Sequence, residues 1–197
     1  MAINLTKNYR LDVIKMHQAE VGGRLFSAKI NEVLPNGVIG YLGEYESGSK
    51  EVRKFLKPTA ELLKGKVLPV IIARPELIYD ERFSDSGAYG VFRNPANKPF
   101  PVIPFERWDE VSLSEDYFTG RSAEEIAVGD MFTINTDGLL TYSEGAPEAA
   151  ANAVYFKVTG VSNSHLPQYV HSNGEGSVKP YKMVDVEIII NEASATE

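Results

Sequence analysis

Met131-Phe132-Thr133-Ile134-Asn135-Thr136-Asp137-Gly138-Leu139-Leu140-Thr141-Tyr142 reads as a strand, a tight turn and a return strand, and it decides the fold class. An Asp-Gly pair between β-rich runs is a strong hairpin signal, because Asx and Gly tolerate the positive φ angles that a two-residue turn requires. Upstream the signal recurs. Leu25 to Val33 reads as a strand, Pro35-Asn36-Gly37 as a turn, and Val38 to Leu42 as the return strand of a hairpin. Val67 to Ala73 is a largely apolar strand whose Pro69 places its early part at an edge or a bulge. Downstream, Ala153 to Val161 is a further strand. In Tyr181 to Ile190, Val184, Val186, Ile188 and Ile190 alternate against Met183, Asp185, Glu187 and Ile189. The expected fold is mainly β, built of small barrel or sandwich units with one or two short helices; α+β is the alternative.

The helical signals are few. Leu11, Ile14, Lys15 and Gln18 fit a short helix ending at Gly22-Gly23, or an arm that orders against a partner. Pro58-Thr59 opens a second short helix that Gly65 stops, and Ser122-Ala123-Glu124-Glu125 has the spacing of a capping box. These marks divide the chain into an N-terminal arm or helix over 1–23, a β-rich domain over 24–119, a small barrel-like domain over 120–192 and a frayed tail over 193–197. Residues 79–104, rich in Gly, Pro, Asn and Ser, read as a long ordered loop or edge hairpin of the first domain. Residues 107–121 read as an acidic connector, and the tract from His165 to Pro180 as a polar loop.

Composition excludes several kinds of chemistry. With no cysteine among 197 residues there is no disulfide, thiolate nucleophile or thiolate-ligated zinc. No run approaches the roughly 20 apolar residues of a membrane span, and residues 1–7 lack the apolar core of a secretory signal, so a soluble chain made in the cytoplasm is expected. A net charge of −7 argues against phosphate-backbone binding. The charge is unevenly spread. Residues 1–74 hold 12 basic and 7 acidic side chains, net +5, and residues 75–197 hold 8 and 20, net −12.

No constellation carries a reaction. His165 and His171 stand six apart in a loop, which is not a helical ligand spacing, and His17 is alone. The pairs Asp109-Glu110, Glu115-Asp116 and Glu124-Glu125 suit solvated faces or caps better than a glycosidase's two carboxyls, since strand neighbours point to opposite faces. The stretch 80–87 holds serine and acids without a G-x-S-x-G elbow, and no phosphate-cradling glycine motif occurs. The expectation is therefore a protein without enzyme activity, cofactor or metal. Aromatic groups remain: Trp108 with Tyr117 and Phe118, or Tyr79 with Phe83 and Tyr89, are candidate sugar-stacking platforms or protein anchors.

The stretch from Ser122 to Leu140, followed by the Ala-rich loop and Ala153-Val154-Tyr155-Phe156-Lys157-Val158, resembles the β units of tailed-bacteriophage head decoration and related capsid-associated proteins. In these, a Gly-Asp, an apolar-Thr-apolar strand and an Asp-Gly turn follow in that order, as Gly129-Asp130, Phe132-Thr133-Ile134 and Asp137-Gly138 do here. The resemblance implies a structural virion protein, made in the host cytoplasm, that decorates and stabilises the lattice of the major capsid protein. Self-association is the other partner considered, with neither nucleic acid nor membrane. The expected contact residues are Lys50, Arg53, Lys54 and Lys57 for electrostatic docking, with Tyr79, Phe83, Tyr89, Phe92 and Trp108 as aromatic anchors. A tail or connector protein of the same particle is the nearest variant, a carbohydrate- or host-surface-binding module the rival of another class, and a hydrolase with an unrecognised site the second rival.

Overall fold

A strand that is apolar on both faces needs a cover on each. Val70-Ile71-Ile72 is such a strand, buried at all three positions, and the architecture follows from what covers its two sides. The structure, a computed structural model, describes residues 3–4, 7, 9–15, 25–65, 67–74, 93–148, 152–163, 168–172, 175–179 and 182–191. Strands β1 (Leu11–Lys15), β2 (Phe26–Lys29), β3 (Leu34–Pro35), β4 (Ile39–Tyr45) and β5 (Val52–Leu56) precede a helix, α1 (Ala60–Lys64). Next come β6 (Val70–Ile72), β7 (Arg93–Asn94), β8 (Phe100–Pro104), β9 (Glu110–Ser114) and β10 (Phe118–Thr119). The rest are β11 (Met131–Ile134), β12 (Leu140–Ser143), β13 (Val154–Asn163), β14 (Gln168–Ser172), β15 (Glu175–Lys179) and β16 (Lys182–Ile190). The mainly β expectation holds, but the barrel is built from strands between Phe26 and Pro104, while the strands of 120–192, where a barrel-like unit was expected, lie in a seven-stranded sheet and a separate hairpin.

Five strands close a barrel in the order β2-β5-β4-β6-β8, with β8 returning to pair with β2. Seven form a sheet in the order β1-β9-β16-β13-β11-β12-β10. Val70, Ile72, Phe100, Val102 and Phe55 point into the barrel. Their alternate neighbours Ile71 and Ile103, with Ile39 and Phe105, join the apolar layer of the sheet around Val111, Phe132, Phe156 and Val186. Each such residue gains about 1.5–3 kcal/mol from burial, so the shared layer ties barrel to sheet. Edge-to-face ring pairs, Phe105 with Phe156 at 5.4 Å and Phe118 with Phe132 at 4.9 Å, fill it.

The two Asx-Gly turns lie at this junction and lock it reciprocally. Gly138, at φ +80°, tops the β11–β12 hairpin; its carbonyl accepts from the Ile39 amide at 2.9 Å. A methyl group there would fall inside contact of the Ile39 carbonyl and 2.8 Å from Val38 Cγ1. In return Asn36-Gly37 of the barrel meets the sheet: the Tyr117 hydroxyl donates to the Asn36 carbonyl, and its ring end occupies the space where a Gly37 side chain would stand. The Asn36 side chain, buried, donates to the Arg74 carbonyl at 2.8 Å and accepts from the Asn94 amide at 3.0 Å. Tyr9 packs edge-on against Tyr117 at 5.0 Å, with the Arg93 guanidinium 5.5 Å from the Tyr9 ring centre.

Several expectations are corrected. Leu11–Lys15 is a strand, not the start of a helix; it pairs with β9 through Leu11–Leu113 and Val13–Val111, and its β-branched Val13 and Ile14 favour that edge. Asn36-Gly37 turns the chain but joins no hairpin: β2 and β4 lie on either side of β5, and Leu34–Pro35 pairs with β7 instead. Residues 107–121 are not a connector, since β9 sits between β1 and β16, and the sheet therefore draws strands from both sides of the expected 119/120 boundary. Phe100–Pro104, expected in the long loop, closes the barrel, and the loop's strand-like piece at 88–92 lies outside the described residues. The polar tract after His165 holds the β14–β15 hairpin, and the strand expected over 67–73 shortens to Val70–Ile72. The Thr59 cap, with its Oγ1 3.3 Å from the Leu62 amide, stands as expected, whereas the Ser122–Glu125 box is only half formed: the Glu125 carboxylate accepts from the Ser122 amide and hydroxyl, the Glu125 amide donates to the Ser122 carbonyl, and the segment is a turn without a helix.

Two predictions follow from this packing. Gly138→Ala combines left-handed strain with a backbone clash and costs about 3 kcal/mol or more; Gly129→Ala, at φ +97° with open space around it, costs only about 1 kcal/mol, and urea titration of the pair separates docking from strain. Burial pushes the Tyr9 hydroxyl up to about 12, with Asp116 adding to the rise and Arg93 opposing it, and burial alone does the same for Tyr41. Both phenols are held neutral by the fold, so stability is full below pH 10, the ordinary tyrosine value, and falls as pH rises towards 12. Ultraviolet difference titration is expected to show Tyr9 and Tyr41 among the tyrosines that ionise late, together with unfolding.

Candidate functional site

β16 outruns its neighbour. The register pairs Glu187 with Glu110, the first residue of β9, and Ile188, Ile189 and Ile190 continue past that point. The chain before β9 folds over the gap as a turn. Its Asp109 is buried, with Oδ2 accepting from the Glu106 amide at 2.7 Å and its carbonyl accepting from the Ile188 amide at 2.9 Å. Held from both sides, the turn forces Trp108 to φ +73°, a left-handed conformation that costs a non-glycine residue about 1–2 kcal/mol. The indole is consequently presented outward at 66% exposure, with the Arg107 guanidinium 5.9 Å from its ring centre. Arg107, Trp108, Ile188, Ile189 and Ile190 enclose an open pocket of about 210 Å³. A large aromatic fixed on a rigid, strained turn beside an aliphatic wall has little entropy to lose on contact, which is the character of a binding hot spot.

Of the other expected contact residues, Lys50, Arg53, Lys54 and Lys57 lie together on β5 and the segments flanking it. They are differently employed. Lys57 is ion-paired with Glu32 at 2.8 Å, and Arg53 donates from Nε to the Gly43 carbonyl at 2.8 Å while its guanidinium lies 5.3 Å from the Tyr45 ring centre. Lys50 and Lys54 are exposed. On β5 the outward positions are Lys54 and Leu56, with Phe55 between them in the barrel core. Tyr79, Phe83, Tyr89 and Phe92 lie outside the described residues.

The structure dissolves the sugar platform of Trp108 with Tyr117 and Phe118, because both partners are buried, Tyr117 against Tyr9 and Phe118 against Phe132. The acid pairs are spread over structural tasks: Asp116 lies 3.4 Å from Lys7 Nζ, Glu115 accepts from the Lys182 amide at 3.3 Å, and Glu125 caps Ser122. Among the described residues no group of three His, Asp or Glu side chains is arranged to hold a metal ion, and no helix is long and apolar enough to cross a membrane. The isoleucine wall was missed by sequence reasoning, although a signal exists. Ile189 stands at an outward position of β16, where Asp185 and Glu187 precede it, so it breaks the alternation.

No protein-family model, curated protein or solved structure matches this chain.

Because Trp108 is the chain's one tryptophan, its fluorescence reports on this site alone. The native protein is expected to emit as an exposed indole, fully accessible to acrylamide. Trp108→Ala is expected to change stability by no more than about 0.5–1 kcal/mol, since little burial is lost; a larger loss on chemical denaturation would mean that the indole is a packing residue.

Proposed function

We propose that the protein is a non-enzymatic structural protein of a virion, docked on the lattice of the major capsid protein and made in the host cytoplasm. What supports the reading is the way charge follows the architecture. The barrel segments, 25–74 and 93–105, contain ten basic and five acidic residues, net +5; residues 106–191, which hold most of the sheet, contain five and fourteen, net −9. A shared apolar layer and two interlocked turns hold these oppositely charged bodies together. Such a molecule presents one cationic face to an acidic surface and turns an anionic face away from it, and many weak copies on one lattice sum by avidity. Neither nucleic acid nor membrane has a part in this reading.

Exposed Trp108 favours a second reading, a glycan- or host-surface-binding module, for which glycan-array binding lost in Trp108→Ala is the test. The first reading is tested by mass spectrometry of purified virions and by co-sedimentation of the purified protein with stripped particles. The expected result is a copy number comparable with the major capsid protein and co-sedimentation weakened at least about tenfold when Lys50, Arg53, Lys54 and Lys57 are all reversed to Glu. Absence from particles overturns the virion assignment, and unchanged binding of the quadruple variant overturns docking through the barrel.

A further inference from the structure

The turn that plugs the barrel into the sheet is also a chemical weak point. An asparagine followed by glycine is open to attack from its own backbone, because the glycine carries no side chain to shield its nitrogen. The chain has two such pairs, Asn36-Gly37 and Asn173-Gly174, of which the second lies outside the described residues. In the reaction the Gly37 nitrogen loses its proton and bonds to Cγ of Asn36; the bond from Cγ to Nδ2 breaks, and Nδ2 takes up a proton and leaves as ammonia. Water then opens the cyclic imide at one of its two carbonyls, leaving aspartate or the isomer whose backbone runs through the side chain. In the folded protein every group that must move is held. The Gly37 amide donates to the Ile72 carbonyl at 2.7 Å, so its proton is engaged. The Asn36 carboxamide extends the pairing past the end of β6 by taking both backbone groups of Arg74. Its Nδ2 donates to the Arg74 carbonyl at 2.8 Å, and its Oδ1 accepts from the Arg74 amide at 3.2 Å and from Asn94 Nδ2 at 3.0 Å. Asn36 is 3% exposed, which keeps out the water that the second step consumes.

We propose that Asn36 is a modification site that folding closes: it deamidates in the unfolded chain, is protected in the folded one, and once converted no longer builds the junction. The last step follows from the same contacts. An aspartate at position 36 turns a carboxylate oxygen, which has no proton to give, towards the Arg74 carbonyl where the amide donor stood, and leaves a negative charge in a buried position. The isomer inserts an extra backbone carbon ahead of Gly37. That displaces both the carbonyl which accepts from Tyr117 and the glycine whose side-chain space the Tyr117 ring fills. Deamidation is thus a one-way exit from the folding equilibrium, and time spent unfolded is recorded covalently at the residue on which the docking of barrel and sheet depends. The site needs neither a partner nor a particle, and it stands apart from the virion reading.

Peptide mapping by mass spectrometry on the full chain tests it. Samples are held at mildly alkaline pH in native buffer and in concentrated guanidinium chloride, and the mass gain of amide-to-acid conversion is followed at Asn36 and Asn173. In denaturant the two sites are expected to convert at rates within about threefold of each other, since no fixed structure distinguishes them there. In native buffer Asn36 is expected to convert at least about a hundredfold more slowly than in denaturant, because reaction then requires an opening that frees Asn36 from Arg74 and Gly37 from Ile72 together. Asn36→Asp, made directly, is expected to melt about 5 °C or more below the native protein, or not to fold. Asn163→Asp, the same change at an exposed position, is expected to keep the native melting temperature, which separates loss of the junction from the added charge. Equal conversion of Asn36 in native buffer and in denaturant, slow conversion of Asn36 in denaturant where Asn173 converts, or an Asn36→Asp chain that melts with the native protein overturns the proposal.

Discussion

The hydrogen bond from the Tyr117 hydroxyl to the Asn36 carbonyl, with its counterpart from the Ile39 amide to the Gly138 carbonyl, fixes how the two β bodies meet. Each uses the tip of one body's Asx-Gly turn as a plug in the other. Glycine is required twice for the same reason: at both tips the backbone is left-handed and the space a side chain would take is filled by the opposite body. The apolar layer supplies most of the free energy, but such packing is non-directional and tolerates sliding. Two hydrogen bonds at the tips do not. They set the angle at which Ile39, Ile71 and Ile103 lie against the sheet, and so the angle between the cationic wall and the anionic one.

Much of the local structure was legible in the sequence. The β11–β12 hairpin, the Thr59 cap and the alternation of β16 are short-range patterns, and each is decided by residues within a few positions of one another. What failed was everything decided at a distance. Asn36-Gly37 has the chemistry of a hairpin turn, yet its strands take other partners because Asn36 is bound to Arg74 and Asn94, 38 and 58 residues away. Leu11–Lys15 had a helix-compatible stripe, but pairing with Leu113 and Val111 recruited it as a strand. No local pattern announces a partner a hundred residues off.

The same division applies to the candidate site. Trp108 was visible as an unusual residue, and the structure exposes it. The pocket beside it depends on β9 beginning three residues short of the end of β16, a consequence of register that composition does not reveal. The four basic residues did cluster, but two of them are engaged within the chain, through Glu32 and through Gly43 and Tyr45. The outward row on β5 is thereby narrowed to Lys54 and Leu56.

The strand order of the sheet has a consequence for how the protein is made. β16 lies between β9 and β13, yet it is synthesised after every other strand of that sheet. Until it arrives, β9 and β13 face a slot with open hydrogen-bonding edges and the apolar flanks of Val111, Leu113, Phe156 and Val158. Such edges are templates for foreign strands. The nascent chain therefore carries two open strand edges until β16 inserts, the stage of its assembly most open to mispairing.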